Sequence, residues 1–295
     1  MADTLSPLRC PICRFSSLSE QGGQAHCAAC GSTFAEVNAI PLLVRDPAAH
    51  EVALERARQV NPLWYEAEQP AEEASPWRHH IRKRRRYLQE ALARELSQRS
   101  WTKAPIGLDL GCGDGNHLSF LSAYVDRLYG SDYNMVRLAR AQRLAPHARL
   151  FLADILDYPA EDAAFDLVFF HHVIEHIRDD RAALATVRRI LKPGGLLVLG
   201  TPNEGSWWWQ LAYKRAPQAL ATTDHVQFYT AETLTAKMRD AGLRVTEVHY
   251  MGWGPPDFQL DGRWRQYKLV DDLFEWVGRI VLRRQASSLY VLATV

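Results

Sequence analysis

From Pro105 to the C-terminus, short apolar runs alternate with longer segments whose apolar residues recur every three or four positions. Runs of the first kind read as strands buried on both faces, and segments of the second kind as amphipathic helices. The predicted strands are Ile106 to Leu110, Arg127 to Ser131, Ala148 to Leu152, Phe165 to Phe170 and Gly195 to Gly200, with Arg244 to Tyr250 and Leu289 to Val295 closing the chain. Such alternation predicts an α/β fold, a parallel sheet with helices on both faces. A helix-like segment, Asn116 to Tyr124, follows the first strand. Upstream, Trp77, Ile81, Leu88, Leu92 and Leu96 recur at helical spacing, so one face packs and the basic residues from Arg78 to Arg86 occupy an exposed face. That face reads first as solvated and second as an anchor for an anionic group on substrate or RNA. Near the C-terminus, Tyr267 to Leu282 carries Leu269, Val270, Leu273, Trp276, Val277, Ile280 and Val281; the expectation is core packing rather than a membrane-surface or partner helix.

The segment Gly107-Leu-Asp-Leu-Gly-Cys-Gly-Asp-Gly115 lies between the first strand and its helix. Glycines at 111, 113 and 115 leave no Cβ between a ligand and the backbone, and the following helix offers free N–H groups. In an open α/β sheet, ligands bind at the carboxyl ends of the strands. The residues there are Asp109 to Gly115, Asp132, Asp154, then His171, His172, Glu175 and His176, and finally Thr201-Pro-Asn203. Asp132 follows the glycine turn at the distance where a carboxylate accepts both hydroxyls of a ribose, a geometry that serves NAD as well as S-adenosylmethionine. The turn lacks G-x-G-x-x-G, which argues against a pyrophosphate on the helix. Asp154 is placed for an exocyclic adenine amine. A helix cap is the alternative role for either aspartate.

With 295 residues, 47% hydrophobic and 23% charged, the chain can bury a sizeable core. A net charge of +1 gives no global field toward nucleic acid or an anionic membrane. No apolar run is long enough to span a bilayer, and Met1 to Pro11 lacks a signal-peptide core, so a soluble, cytoplasmic protein is expected. Four of the 5 cysteines form Cys10-Pro-Ile-Cys13 and Cys27-Ala-Ala-Cys30. Two tight turns of this spacing complete a four-thiolate shell, and a reducing compartment favours metal over disulfides. Zinc is expected on Cys10, Cys13, Cys27 and Cys30 in a structural site, ahead of iron or a redox pair. His26 is read as a hairpin residue rather than a ligand, and Cys112 as a small apolar one. The expected organisation is a zinc ribbon over 1–46, a helical connector over 47–100 and the α/β domain over 101–295.

Leu108-Asp-Leu-Gly-Cys-Gly-Asp-Gly, Gly130-Ser-Asp132, Ala153-Asp154, Phe165-Asp-Leu-Val-Phe-Phe-His-His-Val-Ile-Glu-His-Ile and Leu191-Lys-Pro-Gly-Gly-Leu-Leu-Val-Leu-Gly-Thr-Pro-Asn together resemble the class I S-adenosylmethionine-dependent methyltransferases. Asp224-His-Val-Gln-Phe-Tyr-Thr also fits, and the N-terminal segment resembles zinc ribbons that accompany such enzymes. The resemblance implies a cofactor set of Asp109, Gly111, Cys112, Gly113, Asp132, Asp154, Ile155 and His171. In it the glycine loop holds the amino-acid end, Asp132 the ribose and Asp154 the adenine. It further implies a Rossmann-like seven-stranded sheet whose last strand, Leu289 to Val295, is antiparallel beside Arg244 to Tyr250.

His172-x-x-Glu175-His176 matches a zinc-protease pattern only as a string, because it starts at a strand end. Quinone-type O-methyltransferases carry a related motif that binds a divalent cation; with His172 in place of the first Glu, a magnesium-like site is in doubt. Methyl transfer to a hydroxyl or ammonium benefits from a base near neutral pKa, and His172 and His225 are the catalytic candidates. Ser206-Trp-Trp-Trp and Gly252-Trp-Gly-Pro-Pro are expected to form a lid over substrate, with at least one tryptophan exposed. The leading reading is methyl transfer to a small molecule, O-directed, on a metabolite, lipid-like or glycan precursor. A zinc-ribbon rRNA methyltransferase ranks second, and a non-catalytic cofactor-binding partner third. Nucleic acid is thus the less favoured partner, no transmembrane segment is expected, and the sequence leaves oligomeric state open.

Overall fold

The architecture was read from a computed structural model, which describes residues 5–15, 18–61, 68, 72–99, 104–221 and 224–295. Residues 62–67 and 69–71 of the expected connector, and its expected boundary at 100/101, lie outside the described residues. Four short strands come first: β1 (Leu18–Gln21), β2 (Gln24–Cys27), β3 (Thr33–Val37) and β4 (Ile40–Pro41), an antiparallel meander. Seven more follow: β5 (Ile106–Leu110), β6 (Arg127–Asp132), β7 (Arg149–Leu152), β8 (Phe165–His171), β9 (Leu191–Pro202), β10 (Arg244–Met251) and β11 (Ser288–Thr294). Their order is β10-β11-β9-β8-β5-β6-β7, with β11 antiparallel to both neighbours and the rest from β9 to β7 parallel. The order reverses at β5 and β8, where a ligand crevice opens in sheets of this class.

Each strand's alternate residues feed two cores. Leu108, Val168, Phe170, Leu197 and Leu199 pack with Leu184 and Val187 of helix Asp180–Ile190 and with Leu234 and Met238 of helix Ala231–Asp240. Leu167, Phe169, Leu196 and Val198 pack on the opposite face, with Leu88 and Leu92 of helix Arg78–Ser97 and Leu138 and Ala141 of helix Met135–Leu144. Helices therefore cover both faces, as the alternation predicted. Truncating one of these fully buried leucines to alanine costs about 2–5 kcal/mol.

The N-terminal meander shares the first of these cores through Cys10, Leu18 and Phe34. Just past β4, the Leu43 N–H donates to the Leu152 carbonyl at 2.9 Å. That adds one parallel rung to β7, an otherwise open edge, and blunts it against pairing with another chain.

Two expectations need correction. The helix read over Asn116 to Tyr124 is a single turn, Leu118–Leu121. The Ala123 and Tyr124 N–H groups reach back only three residues, and Asp126 N–H already bonds the Pro105 carbonyl beside β5, so the chain must leave the helix to enter β6. The C-terminal helix forms where expected, over Lys268–Val281, but is not core: Leu269 is 82% and Ile280 66% exposed, whereas Asp271 is 1% exposed. Lys83 Nζ donates to Asp271 Oδ2 at 2.6 Å and Arg265 Nε to Oδ1 at 2.8 Å. These buried charge pairs fix which face turns inward, because unpaired burial of any member would be costly.

Candidate functional site

The glycine turn after β5 is built as its sequence suggests. Gly111 and Gly113 take φ of +78° and +54°, and Gly115, at +86°, lies so close to helix Met135–Leu144 that a Cβ there would stand 2.8 Å from the Ala141 Cα. The N–H groups of Gly111 and Cys112 donate to the Ser131 carbonyl, which ties the turn to β6. At the end of β6, Asp132 Oδ2 accepts the Gly113 N–H at 2.9 Å and Oδ1 the Asn134 N–H at 2.8 Å. One carboxylate thus braces the turn and keeps its remaining lone pairs oriented. Burial raises its pKa above the usual carboxylate value.

Gly111, Cys112, Gly113, Asp132, Asp154, Ile155, His171, His172 and His225 all line one cavity of about 680 Å³ at the carboxyl ends of the strands. Asp109 does not border it. It lies beneath the turn, 1% exposed, with Oδ2 lacking a hydrogen-bond partner among the described residues. Burial, reinforced by the charge of Asp132, lifts its pKa well above the ordinary value. Asp154 both lines the cavity and caps a short 3-10 turn, its Oδ1 accepting the Leu156 N–H at 2.9 Å. Cys112 packs in the second core as the small apolar residue it was read to be, and also borders the cavity.

Histidines and carboxylates form the other wall. His172 follows β8 directly with φ of +54°, a left-handed backbone that costs a non-glycine residue about 1 kcal/mol or more. The strain is held by its N–H, which donates to the Gly200 carbonyl at 2.8 Å, and by its Nδ1, 3.0 Å from Glu175 Oε1. Thr201 Oγ1 donates to the other oxygen of Glu175 at 3.0 Å. Burial pushes the Glu175 pKa up, but the hydrogen bond and charge of His172 outweigh it and hold the carboxyl below its usual range. His176 Nδ1 lies 3.0 Å from Asp224 Oδ1, and His225 Nδ1 lies 2.7 Å from Glu204 Oε2. Glu204 also accepts the Tyr213 hydroxyl. Burial pulls the His225 pKa down, yet the hydrogen bond and charge of Glu204 more than offset this and the net shift is upward. His171 and His117 differ: burial drives His117 down to about 3 and His171 well below normal, so both are neutral.

The H-x-x-E-H string is therefore split between the end of β8 and a 3-10 turn, Ile174–His176, and not on a helix as a zinc protease needs. Besides the four cysteines, Glu175, His176 and His225 bring their ligand atoms within 4.8 Å of one another, and His172, whose place in a cation site the sequence left in doubt, is not among them. The supposed lid is also corrected. Helix Trp207–Arg215 and the Gly252–Pro256 stretch pack on each other, Trp208 Nε1 donating to the Gly254 carbonyl at 2.8 Å, around a separate cavity of about 40 Å³. Neither borders the large cavity, although Trp207 is exposed, as the triple tryptophan required.

Arg84 was missed by sequence reading and lines the cavity. Its signal was positional: 84 falls between Ile81 and Leu88 on the stripe that packs inward. Asp114, within the strand-end stretch Asp109 to Gly115, is buried 3.6 Å from Arg140 and 3.9 Å from Arg137, which pins helix Met135–Leu144 to the turn.

In the N-terminal module, Cys10 and Cys30 Sγ are 3.7 Å apart, and Cys13 and Cys27 Sγ 3.6 Å. A tetrahedral zinc with bonds of about 2.3 Å needs its sulfurs roughly 3.8 Å apart, so the donor set fits. Burial pushes the Cys10 thiol up to about 12, so that sulfur ionises near neutrality only with a cation to offset the charge.

A family model described as a methyltransferase domain matches residues 78–248, more than half of the chain. A Mycolicibacterium smegmatis relative, named as a probable S-adenosylmethionine-dependent methyltransferase, is 26% identical over 53% of this chain and 58% of its own length. With a Mycobacterium tuberculosis relative covered over 55%, the chain spans little more than half of these curated relatives. The ubiquinone biosynthesis O-methyltransferase of Cereibacter sphaeroides is 33% identical over 57% of this chain and 74% of its own length. Among solved structures, the N-methyltransferase NodS of Bradyrhizobium japonicum superposes with a TM-score of 0.51 at 19% identity, covering 83% of this chain and 97% of that one. At that identity the likeness speaks for the fold. A glycine turn braced by a strand-end carboxylate on this strand order, and a family match over more than half its length, make this chain a member of the methyltransferase-domain family.

Proposed function

We propose that the chain transfers a methyl group from S-adenosylmethionine to a hydroxyl of a small-molecule acceptor. The observation that carries this reading is that one cavity holds the Asp132-braced glycine turn on one side and the Glu204-paired His225 on the other. When bound, the cofactor supplies a methyl group on a cationic sulfur. The residues fit its parts by chemistry. Asp132 offers acceptors to ribose hydroxyls and Asp154 an acceptor to the adenine amine. Arg84 offers a cation to the carboxylate of the amino-acid end. Asp109, buried beneath the turn with its Oδ2 unpartnered among the described residues, backs the glycine loop that would hold that end.

Displacement at a sulfonium needs the nucleophile in line and water kept out, so the protein mainly positions. Neutral His225 donates through Nδ1–H to Glu204, which leaves Nε2 to take the acceptor's O–H proton. Glu204 then stabilises the imidazolium. His172, held in its strained backbone, is the second candidate for that proton. The four cysteines hold a structural zinc, with no position open to substrate.

The near-neutral charge supports a small-molecule acceptor over RNA. The test is incubation of the purified chain with labelled methyl donor, comparing a small-molecule extract with total RNA. Label in the small-molecule fraction is expected; label in RNA would reverse the reading.

A further inference from the structure

Helix Lys268–Val281 is inside out. Its inward face is made of Asp271, Glu275 and Gly278. Asp271 is locked by Lys83 and Arg265, and Glu275 Oε1 accepts from Arg279 Nη2 at 2.8 Å. Gly278 backs onto Trp253 so closely that a Cβ would stand 2.1 Å from its ring. Trp253 Nε1 in turn donates to the Leu282 carbonyl at 2.9 Å. The helix therefore cannot roll to hide its other side without breaking buried charge pairs and a glycine contact. That other side carries Leu269, Leu273, Trp276, Val277, Ile280 and Val281, all exposed. They fall on one arc of the helix, at spacings of three and four, and form a continuous apolar stripe about 20 Å long.

The charges around the stripe are sorted by sign. Between residues 260 and 285, Arg263, Lys268, Arg279, Arg283 and Arg284 are exposed, while Asp261, Asp271 and Glu275 are largely buried and the half-exposed Asp272 is taken up by Lys83 and Lys268. Arg263 and Arg283 have no ion pair among the described residues, whereas Lys268 shares Asp272, Arg279 shares Glu275 and Arg284 shares Glu232. Two exposed aromatics, Trp264 and Tyr267, sit just before the helix. Their rings pair an apolar body with a polar tip, which suits the boundary between headgroups and acyl chains. A stripe of this shape with a cationic rim is what an anionic lipid surface binds. A second copy is disfavoured, since a two-fold contact through this patch would set one cationic rim against the other.

We infer that helix Lys268–Val281, with Trp264 and Tyr267, seats the protein on the surface of an anionic lipid bilayer. The helix lies in the interface plane with its apolar stripe down, and the exposed arginines meet the headgroups. The inference is independent of methyl transfer and of the acceptor. Lys83 of Arg78–Ser97 holds Asp271 and Asp272, which sets the basic helix behind the seated helix rather than on its lipid-facing stripe.

The test is co-sedimentation of the purified chain with phosphatidylcholine vesicles and with vesicles containing about a third phosphatidylglycerol, in low and high salt. Binding to the anionic vesicles, weakened by salt, is expected. Leu273→Glu with Ile280→Glu should lower partitioning at least tenfold, because two apolar anchors are replaced by charges that lipid repels. Arg263→Glu with Arg283→Glu should lower it on anionic vesicles alone. Circular dichroism keeps a folding failure of the apolar pair from passing as support, and the arginine pair then decides. Absence of sedimentation with anionic vesicles would overturn the inference. So would wild-type partitioning by folded variants, or a dimer in solution that Ile280→Glu dissociates while vesicles go unbound.

Discussion

His225 Nδ1 meets Glu204 Oε2 at 2.7 Å across the rim of the cavity, from a segment 21 residues further along the chain. The pairing fixes the tautomer of the imidazole and raises its pKa, so the proton is kept to higher pH than on a free histidine.

A pH dependence follows. As a base, His225 works only after losing that proton, so kcat should rise with pH through its folded pKa, above the ordinary value of about 6.5. Glu204→Gln removes the negative charge that holds the pKa up, so the rising limb should move to lower pH. Rate–pH profiles of the two proteins check this, and an unmoved limb would exclude His225 as the titrating base.

Cofactor affinity should depend on Asp132 and Arg84 unequally. Asp132→Ala loses the ribose acceptors and the brace on Gly113 together, and binding of S-adenosylmethionine by calorimetry should become undetectable. Arg84→Ala removes one charge-assisted contact and should weaken binding about tenfold or more. Arg84→Lys should recover part of that loss. Unchanged affinity in Asp132→Ala would displace the cofactor from the glycine turn.

Gly115→Ala forces a side chain onto a φ of +86° and against Ala141. The strain and overpacking should cost about 2–4 kcal/mol, a fall in Tm of roughly 5–10 °C. The matched control is Gly31→Ala, also left-handed at +73° but with open space around it, which should cost less. Thermal melts compare the two.

Metal removal should be felt beyond the N-terminal module. The cysteine module shares a core with Tyr129 and Tyr158 and pairs with β7 at Leu152. The purified chain should carry one zinc by elemental analysis, and strong chelators or Cys27→Ser should lower the Tm of the whole chain by several degrees. A metal-free chain with an unaltered melt would mean the cysteines do not hold a structural ion.

The strands of the large sheet were legible because burial on both faces leaves uninterrupted apolar runs, as in Phe165 to Phe170. The glycine turn and Asp132 were legible for a related reason: a left-handed backbone and a strand-end carboxylate are needs that few residue types meet. Cys10, Cys13, Cys27 and Cys30 carried their spacing in plain view. Arg84 was hidden among identical neighbours, since residue type does not say which arginine of a run lies on the packed stripe.

What the chain alone determined was therefore local: which segments extend or coil, where the backbone must turn, and which side chains end the strands. Tertiary structure decided the rest. It set His225 against Glu204 and His176 against Asp224, groups brought together only by chain reversal. It also decided the facing of helix Lys268–Val281. Its sequence pattern marks two faces without saying which points inward, and the answer came from Lys83 and Arg265, distant in sequence, closing on Asp271. A buried carboxylate with two cationic partners outweighs the tendency of apolar residues to turn in, and no reading of one helix by itself contains those partners.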